Sequence, residues 1–268
     1  MDRGVSSFKL FTAYPGTNYS DDGRILEAMQ TAAGLGATVM MHAENGIAID
    51  VLRAQALARG DTDPVHHLTT RPASFEGEAV HRGVMLAEVA GCALVIVHIS
   101  SADALGAAVA GRLRGLPVFA ETCPQYLWLG IEDLPDGFDA ARFVCSPPLR
   151  WRADGHQAAL WAAAAGGTVD VVATDHCPFT WEQRQAGRGD FTRIPNGVGS
   201  IEHRIDLIHQ GVVDRRLSLT RWVELCATAP AKLAASTLAR APSPPAATRT
   251  SSSTTRPRPG RCRPRPTT

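Results

Sequence analysis

Five segments of the chain run apolar and then reach a polar or ionisable side chain at or near their C-terminal end. They are Ser6–Phe11 (SSFKLF), Ala37–Ala43 (ATVMMHA), Ala93–Ser100 (ALVIVHIS), Pro117–Cys123 (PVFAETC) and Val169–Asp175 (VDVVATD). Short apolar runs of this kind predict β-strands. Between them the pattern is helical: Asp22–Ala33 with an Asp cap, Phe75–Ala90 after Ser74, Ala102–Leu113 after Ser101, the alanine-rich Gln157–Ala165, and Ser200–Gln210. Strands separated by helices predict an α/β fold with a parallel sheet and right-handed crossovers.

Parallel α/β folds carry their chemistry at the C-terminal ends of the strands, and a barrel gathers it at one mouth. Here those ends offer His42, His98, Glu121 and Asp175. A doubly wound sheet is also compatible, but no GxGxxG or GxxxxGK[ST] run is present to cradle phosphate. Imidazole and carboxylate are natural ligands for zinc and its neighbours. A histidine at a strand end is equally at home as a hydrogen-bonded core residue, and it is the recurrence at equivalent ends that points to a site. Glu121 reads as a supporting carboxylate or a helix-cap acid, and His176 as a partner for Asp175. His66 and His67 read as a surface loop, and Ile194–Gly197 (IPNG) as a turn that offers main-chain contacts. Lys9, in the strand SSFKLF, reads locally as an edge-strand amine held in solvent by its stem.

Composition narrows the class. At 268 residues the chain can bury one large α/β core. No apolar run is long enough to span a membrane, and MDRGVSSFKL has no secretory core. Six cysteines without a CxxC pair suit a reducing cytoplasm. The net charge of +1 divides unevenly: the segment from Ser236 on holds seven Arg and no acid, leaving 20 basic against 26 acidic residues before it. The body is thus mildly acidic, and no nucleic-acid face is expected. Residues 1–233 read as one domain. Residues 234–268, rich in Arg, Pro, Ser and Thr, read as a disordered tail, and as the product of a shifted reading frame rather than a functional basic arm.

Seven motifs then occur in order: SSFKLFTAYPG, MMHAENG, VHISS, AETCPQYL, CSPPLR, TDHCPF and RIPNG. Together, from about Gly4 to Leu233, they make the chain resemble the dihydropyrimidinase and D-hydantoinase family of cyclic amidases in the amidohydrolase superfamily. The resemblance implies a (β/α)8 TIM-type barrel, of which this chain would hold about strands four to eight. It implies two divalent metal ions, usually zinc, bridged by a carbamylated lysine that Lys9 matches. His42 and His98 match the histidines of one metal. Asp175 matches the aspartate of the other, which also shuttles the proton. Tyr14 matches the tyrosine that polarises the scissile carbonyl, and Ser146 and Asn196 match positions whose main chain holds the substrate. The implied reaction is hydrolysis of a dihydropyrimidine such as 5,6-dihydrouracil, or of a 5-substituted hydantoin, to an N-carbamoyl amino acid by metal-generated hydroxide. The implied protein is cytoplasmic and commonly homotetrameric, acting on a small cyclic amide and not on membrane or nucleic acid.

Three departures from the pattern bear on these expectations. The family's HxH pair, which completes the metal site of Asp175, does not occur in the chain. A truncated reading of a longer gene, inactive or nearly so by itself, is therefore expected. Thr12 stands where the family often has Met, and Gly199-Ser200 where it usually has Pro-Gly. Allantoinase and dihydroorotase share the metal plan and are the nearest enzymatic alternatives. The collapsin response mediator proteins, which have lost metal ligands, give a non-catalytic scaffold as the alternative of another class.

Overall fold

The computed structural model describes residues 5–238. Its strands are β1 (Ser7–Phe11), β2 (Thr38–His42), β3 (Ala93–Ile96), β4 (Val118–Thr122) and β5 (Val171–Val172). They form one parallel sheet in the order β1-β2-β3-β4-β5. Its α-helices are α1 (Asp22–Leu35), α2 (Gly46–Ala58), α3 (Val65–Thr69), α4 (Ala73–Ala90), α5 (Ala102–Leu113), α6 (Pro124–Trp128), α7 (His156–Gly166), α8 (Trp181–Gln185), α9 (Arg204–Val213), α10 (Leu219–Val223) and α11 (Ala229–Leu238). A short π-helical turn, Glu224–Thr228, joins the last two.

The two faces of the sheet have different jobs. One presents Val39, Met41, Leu94, Ile96, Val118 and Ala120 to helices, whose buried partners include Ile25 and Met29 of α1, Val84 of α4 and Leu160 of α7. Each fully buried aliphatic side chain of this kind stabilises the fold by roughly 1.5–3 kcal/mol. The parallel register fixes what the opposite face carries. Lys9 pairs with Met40, Met40 with Val95 and Val95 with Phe119. One step along, Phe11 pairs with His42, and Glu121 with Val171. Because side chains alternate along a strand, Lys9, Phe11, His42 and Glu121 share this second face.

Several local expectations are corrected. Ser74 is not a cap: α4 begins at Ala73 behind Pro72, which has no N–H to satisfy and is extended at φ −60°. Ser101 does cap α5, accepting from the Ala104 amide, and Asp21 caps α1. His66 and His67 are not in a surface loop. They lie in α3, and His67 is 3% exposed. The strand predicted over Val169–Asp175 is confined to Val171–Val172, and α9 starts at Arg204 rather than Ser200. Helix α11 continues past Leu233 to Leu238, and the rest of the expected tail lies outside the described residues. No helix among the described residues is long and apolar enough to cross a membrane. β1 lies at one edge of the sheet, and Lys9 is exposed there.

Candidate active site

The site is built where β1, β2 and β3 end. The segment after β1 is clipped to the segment after β2 through Thr12, which is 1% exposed. The Thr12 amide donates to the His42 carbonyl (3.1 Å) and the Gly46 amide to the Thr12 carbonyl (3.1 Å). The Thr12 hydroxyl donates to the Glu44 carbonyl at 2.8 Å and accepts from the Glu44 amide at 3.1 Å. The approach is so close that a Cβ on Gly46 would stand 2.8 Å from Cα of Ala13. The clip sets Tyr14 against His42, with ring centroids 5.1 Å apart, and Phe11 stacks on the same imidazole at 5.6 Å. A methionine at position 12 would keep the two main-chain bonds and lose the two made by the hydroxyl.

His42 and His98 meet edge to face, with Nδ1 of His42 3.0 Å from Nε2 of His98. Both are 2% exposed. Burial, followed by the charges of His42 and Lys9, holds the His98 imidazole well below the ordinary histidine range. Lys9 lies 5.3 Å from the Phe11 ring centroid, and its charge reaches His98 and Glu121. Glu121 accepts from the His98 amide at 3.3 Å, and burial pushes its carboxyl up to about 7. It supports the backbone of His98 and is not a helix-cap acid.

Three of these positions depart from ordinary backbone geometry. Tyr14 (φ 63°), His98 (φ 43°) and Asp175 (φ 45°) are left-handed, a conformation that costs non-glycine residues roughly 1–3 kcal/mol and collects at functional sites. The turn at His98 and Asp175 also ends β3 and β5 earlier than the apolar pattern predicts. Burial, then the Glu44 carboxylate, pushes the Tyr14 phenol up to about 12, so it stays a hydrogen-bond donor at neutral pH. Asp175 is partly buried beyond β5, near enough for its charge to act on Tyr14 and Glu121.

Ser146 and Asn196 come from segments that Arg184 ties together. This buried guanidinium donates to the carbonyls of Ala141, Pro195 and Gly197. The Gly197 amide adds a bond to the Val144 carbonyl at 2.9 Å. Gly197 has φ 152°, and a Cβ there would stand 2.4 Å from the Cys177 carbonyl oxygen, so glycine is required in IPNG. The side-chain oxygen of Asn196 is buried without a partner among the described residues. His67 donates Nε2–H to the Cys145 carbonyl at 2.9 Å and lies 3.2 Å from the Ser146 hydroxyl. His176 is used elsewhere, accepting at Nδ1 from the amides of Ser200 and Ile201.

Two residues not singled out in the sequence complete the site. Glu44 (1% exposed) lies 2.7 Å from Nε2 of His42, and Arg71 (3% exposed) donates to the same carboxylate oxygen at 2.9 Å. The Arg71 guanidinium also lies 5.8 Å from the Tyr14 ring centroid. Although burial opposes it, the Arg71 charge and the His42 hydrogen bond hold the Glu44 carboxyl well below the usual carboxylate range.

Among the described residues no three His, Cys, Asp or Glu side chains converge as a closed metal cage. The histidine pair nevertheless fits a cation. Two nitrogens bound tetrahedrally at ordinary Zn–N lengths stand about 3.3 Å apart, against 3.0 Å between His42 Nδ1 and His98 Nε2. Lys9 shares their face, and as an ammonium it could not ligate, whereas a carbamate on it could.

No protein-family model matches the chain. The chain is 53% identical over 236 residues to a D-hydantoinase of Streptomyces coelicolor, across 87% of this chain and 50% of that one. Among solved structures, a D-hydantoinase from Bacillus sp. AR9 aligns with a TM-score of 0.83 and 43% identity, over 86% of this chain and 50% of that one. A dihydropyrimidinase from Brevibacillus agri NCHU1002 aligns with a TM-score of 0.81 and 42% identity, over 84% and 49%. The chain spans about half the length of the curated relatives it matches.

Proposed function

We infer, from a chain homologous to the D-hydantoinases and dihydropyrimidinases over most of its length, that it carries the chemistry of a metal-dependent cyclic amidase. The substrate class is a dihydropyrimidine such as 5,6-dihydrouracil or a 5-substituted hydantoin, opened to the N-carbamoyl amino acid. The observation that carries this reading is the meeting of His42 Nδ1 and His98 Nε2 beneath Tyr14, on the sheet face that bears Lys9.

His42, His98 and carbamylated Lys9 would hold one divalent cation, and Lys9 together with Asp175 would hold a second. When bound, such ions lower the pKa of water towards ~7 and polarise the amide carbonyl. The residues of the chain do the rest. Tyr14, kept protonated by its burial, donates to the carbonyl oxygen where negative charge develops. Asp175 accepts a proton from water and returns it to the departing ring nitrogen, which otherwise leaves as an unstable anion. The main chain at Ser146 and Asn196, fixed by Arg184 and His67, holds the amide edge of the ring. Phe11 covers one face of the His42 ring.

The Lys9–His42–His98 half of this donor set is present, whereas the chain has no HxH pair to accompany Asp175. The 268-residue chain by itself is therefore expected to turn over slowly. A panel of dihydrouracil, hydantoins, allantoin and dihydroorotate, followed by release of the ring-opened acid, tests the reading. Preferential opening of dihydrouracil or a hydantoin supports it. Faster turnover of allantoin or dihydroorotate overturns the substrate class, and a folded protein that neither binds metal nor opens any ring overturns the enzymatic reading in favour of a scaffold.

A further inference from the structure

We propose that Glu44, clamped by Arg71, is a positioning residue that fixes His42 as its Nε2–H tautomer and so presents the Nδ1 lone pair to the cation. The inference deepens the function proposed above, and its metal arm rests on that reading. Its tautomer arm does not.

An ionised carboxylate only accepts hydrogen bonds. Glu44 is ionised because a guanidinium that cannot lose its proton donates to it at 2.9 Å in a buried setting. The ring nitrogen facing it at 2.7 Å, Nε2 of His42, must therefore carry the hydrogen. In a neutral imidazole the other nitrogen is then a bare lone pair, and it is this nitrogen, Nδ1, that faces His98 Nε2 at 3.0 Å. A carboxylate behind a histidine ligand sets its orientation and raises its basicity in many metal sites.

The backbone makes the arrangement rigid. Both main-chain polar groups of Glu44 are bound by the Thr12 hydroxyl, so the carboxylate is held from its base as well as its tip. Arg71 is fixed in turn, because its carbonyl accepts from Nη1 of Arg150. The same guanidinium approaches the Tyr14 ring, so one buried ion pair supports both His42 and the carbonyl-polarising phenol. His98 has no such orienting group. Among the described residues its buried Nδ1 meets no other side chain. Without a cation, Nε2–H of His98 donates to the His42 lone pair. To ligate through Nε2, His98 must move that hydrogen to Nδ1. His42 is thus set in advance and His98 is the ring that switches.

The test is nitrogen NMR of the full 268-residue chain with 15N-labelled histidine, with and without Zn2+, alongside Zn2+ titration by calorimetry. The His42 signals are assigned by their loss in His42→Phe. The metal-free protein is expected to show His42 protonated at Nε2, and Zn2+ to move the proton of His98 but not that of His42. In Glu44→Gln the amide can donate as well as accept, so the Nδ1–H form of His42 should appear and Zn2+ affinity fall by roughly 10–100-fold, with partial recovery in Glu44→Asp. A wild-type His42 protonated at Nδ1 overturns the proposal, as does a folded Glu44→Gln with unchanged tautomer and affinity. If Glu44→Gln does not fold, the wild-type tautomer decides. A wild-type protein with His42 protonated at Nε2 that takes up no Zn2+ would sink the metal chemistry of the proposed function while leaving the tautomer assignment standing.

Discussion

Glu76→Ala is expected to destabilise the protein by about 3–5 kcal/mol, the cost of removing one partner from a buried ion pair. Glu76 is 2% exposed near the start of α4 and accepts three hydrogen bonds. The Ser100 amide donates at 2.8 Å, the Ser100 hydroxyl at 2.7 Å and Nη2 of Arg150 at 2.8 Å. Alanine would leave Nη2 of Arg150 and the Ser100 main-chain N–H without this acceptor, and the guanidinium without its counter-charge, in a place that water scarcely reaches, and each such loss costs far more than a surface contact. Arg150 ends the CSPPLR motif and also donates to the Ser100 hydroxyl and the Arg71 carbonyl, so the loss should loosen the Ser146 segment as well. Asp50→Ala, which breaks the more exposed Arg53–Asp50 pair, should cost less than about 1 kcal/mol. Urea unfolding of the two variants at neutral pH makes the comparison. Equal small losses would mean that the Glu76 network is not the fixed structure described here.

The second large effect is acid lability carried by His67. Burial, with Arg71 adding to it, pushes this imidazole down to about 3, whereas an unfolded histidine titrates near 6.5. Between those values the unfolded chain binds a proton that the native protein does not. Stability therefore rises with pH across this window, is complete above about 6.5 and is lost as pH falls towards 3. At about 1.4 kcal/mol per pH unit the whole window is worth on the order of 5 kcal/mol. His98, also held neutral, acts in the same direction, Glu121, pushed up to about 7, acts in the opposite one, and Glu44, its carboxyl held far down, keeps its full contribution until pH falls into the ordinary carboxylate range. The His67 share is isolated by His67→Gln, whose amide can still donate to the Cys145 carbonyl. The stability difference between wild type and His67→Gln should shrink or reverse between pH 7 and pH 4.5. A constant difference across that range would contradict a neutral, buried His67.

The parallel α/β arrangement was legible because the apolar runs are short, separated and each closed by a polar residue. What happens beyond the strand ends was less so. Nothing local in HISS or TDHC announces a left-handed backbone, yet φ is 43° at His98 and 45° at Asp175, just beyond the ends of β3 and β5. His67 follows another histidine in a polar stretch and looks solvated. Only the fold brings it to Cys145, 78 residues on. Glu44 stands two residues after His42 in the same HAENG motif, and a carboxylate so close to a candidate ligand was a usable signal. Arg71 gave none, since its partner lies 27 residues away. Helix α2 also went unread, although Asn45 caps it by accepting from the Ala48 amide.

Cyclic amidase chemistry on this scaffold requires that His42 and His98 together hold a divalent cation on the Lys9 face of the sheet. Cobalt(II) titration of the full chain, read by its visible ligand-field bands, tests it most directly. The expected result is about one tightly held equivalent per chain with the intense bands of a four-coordinate site, abolished in both His42→Ala and His98→Ala while the fold is retained. A folded wild-type chain that takes up no cobalt, or uptake that survives both substitutions, would contradict it.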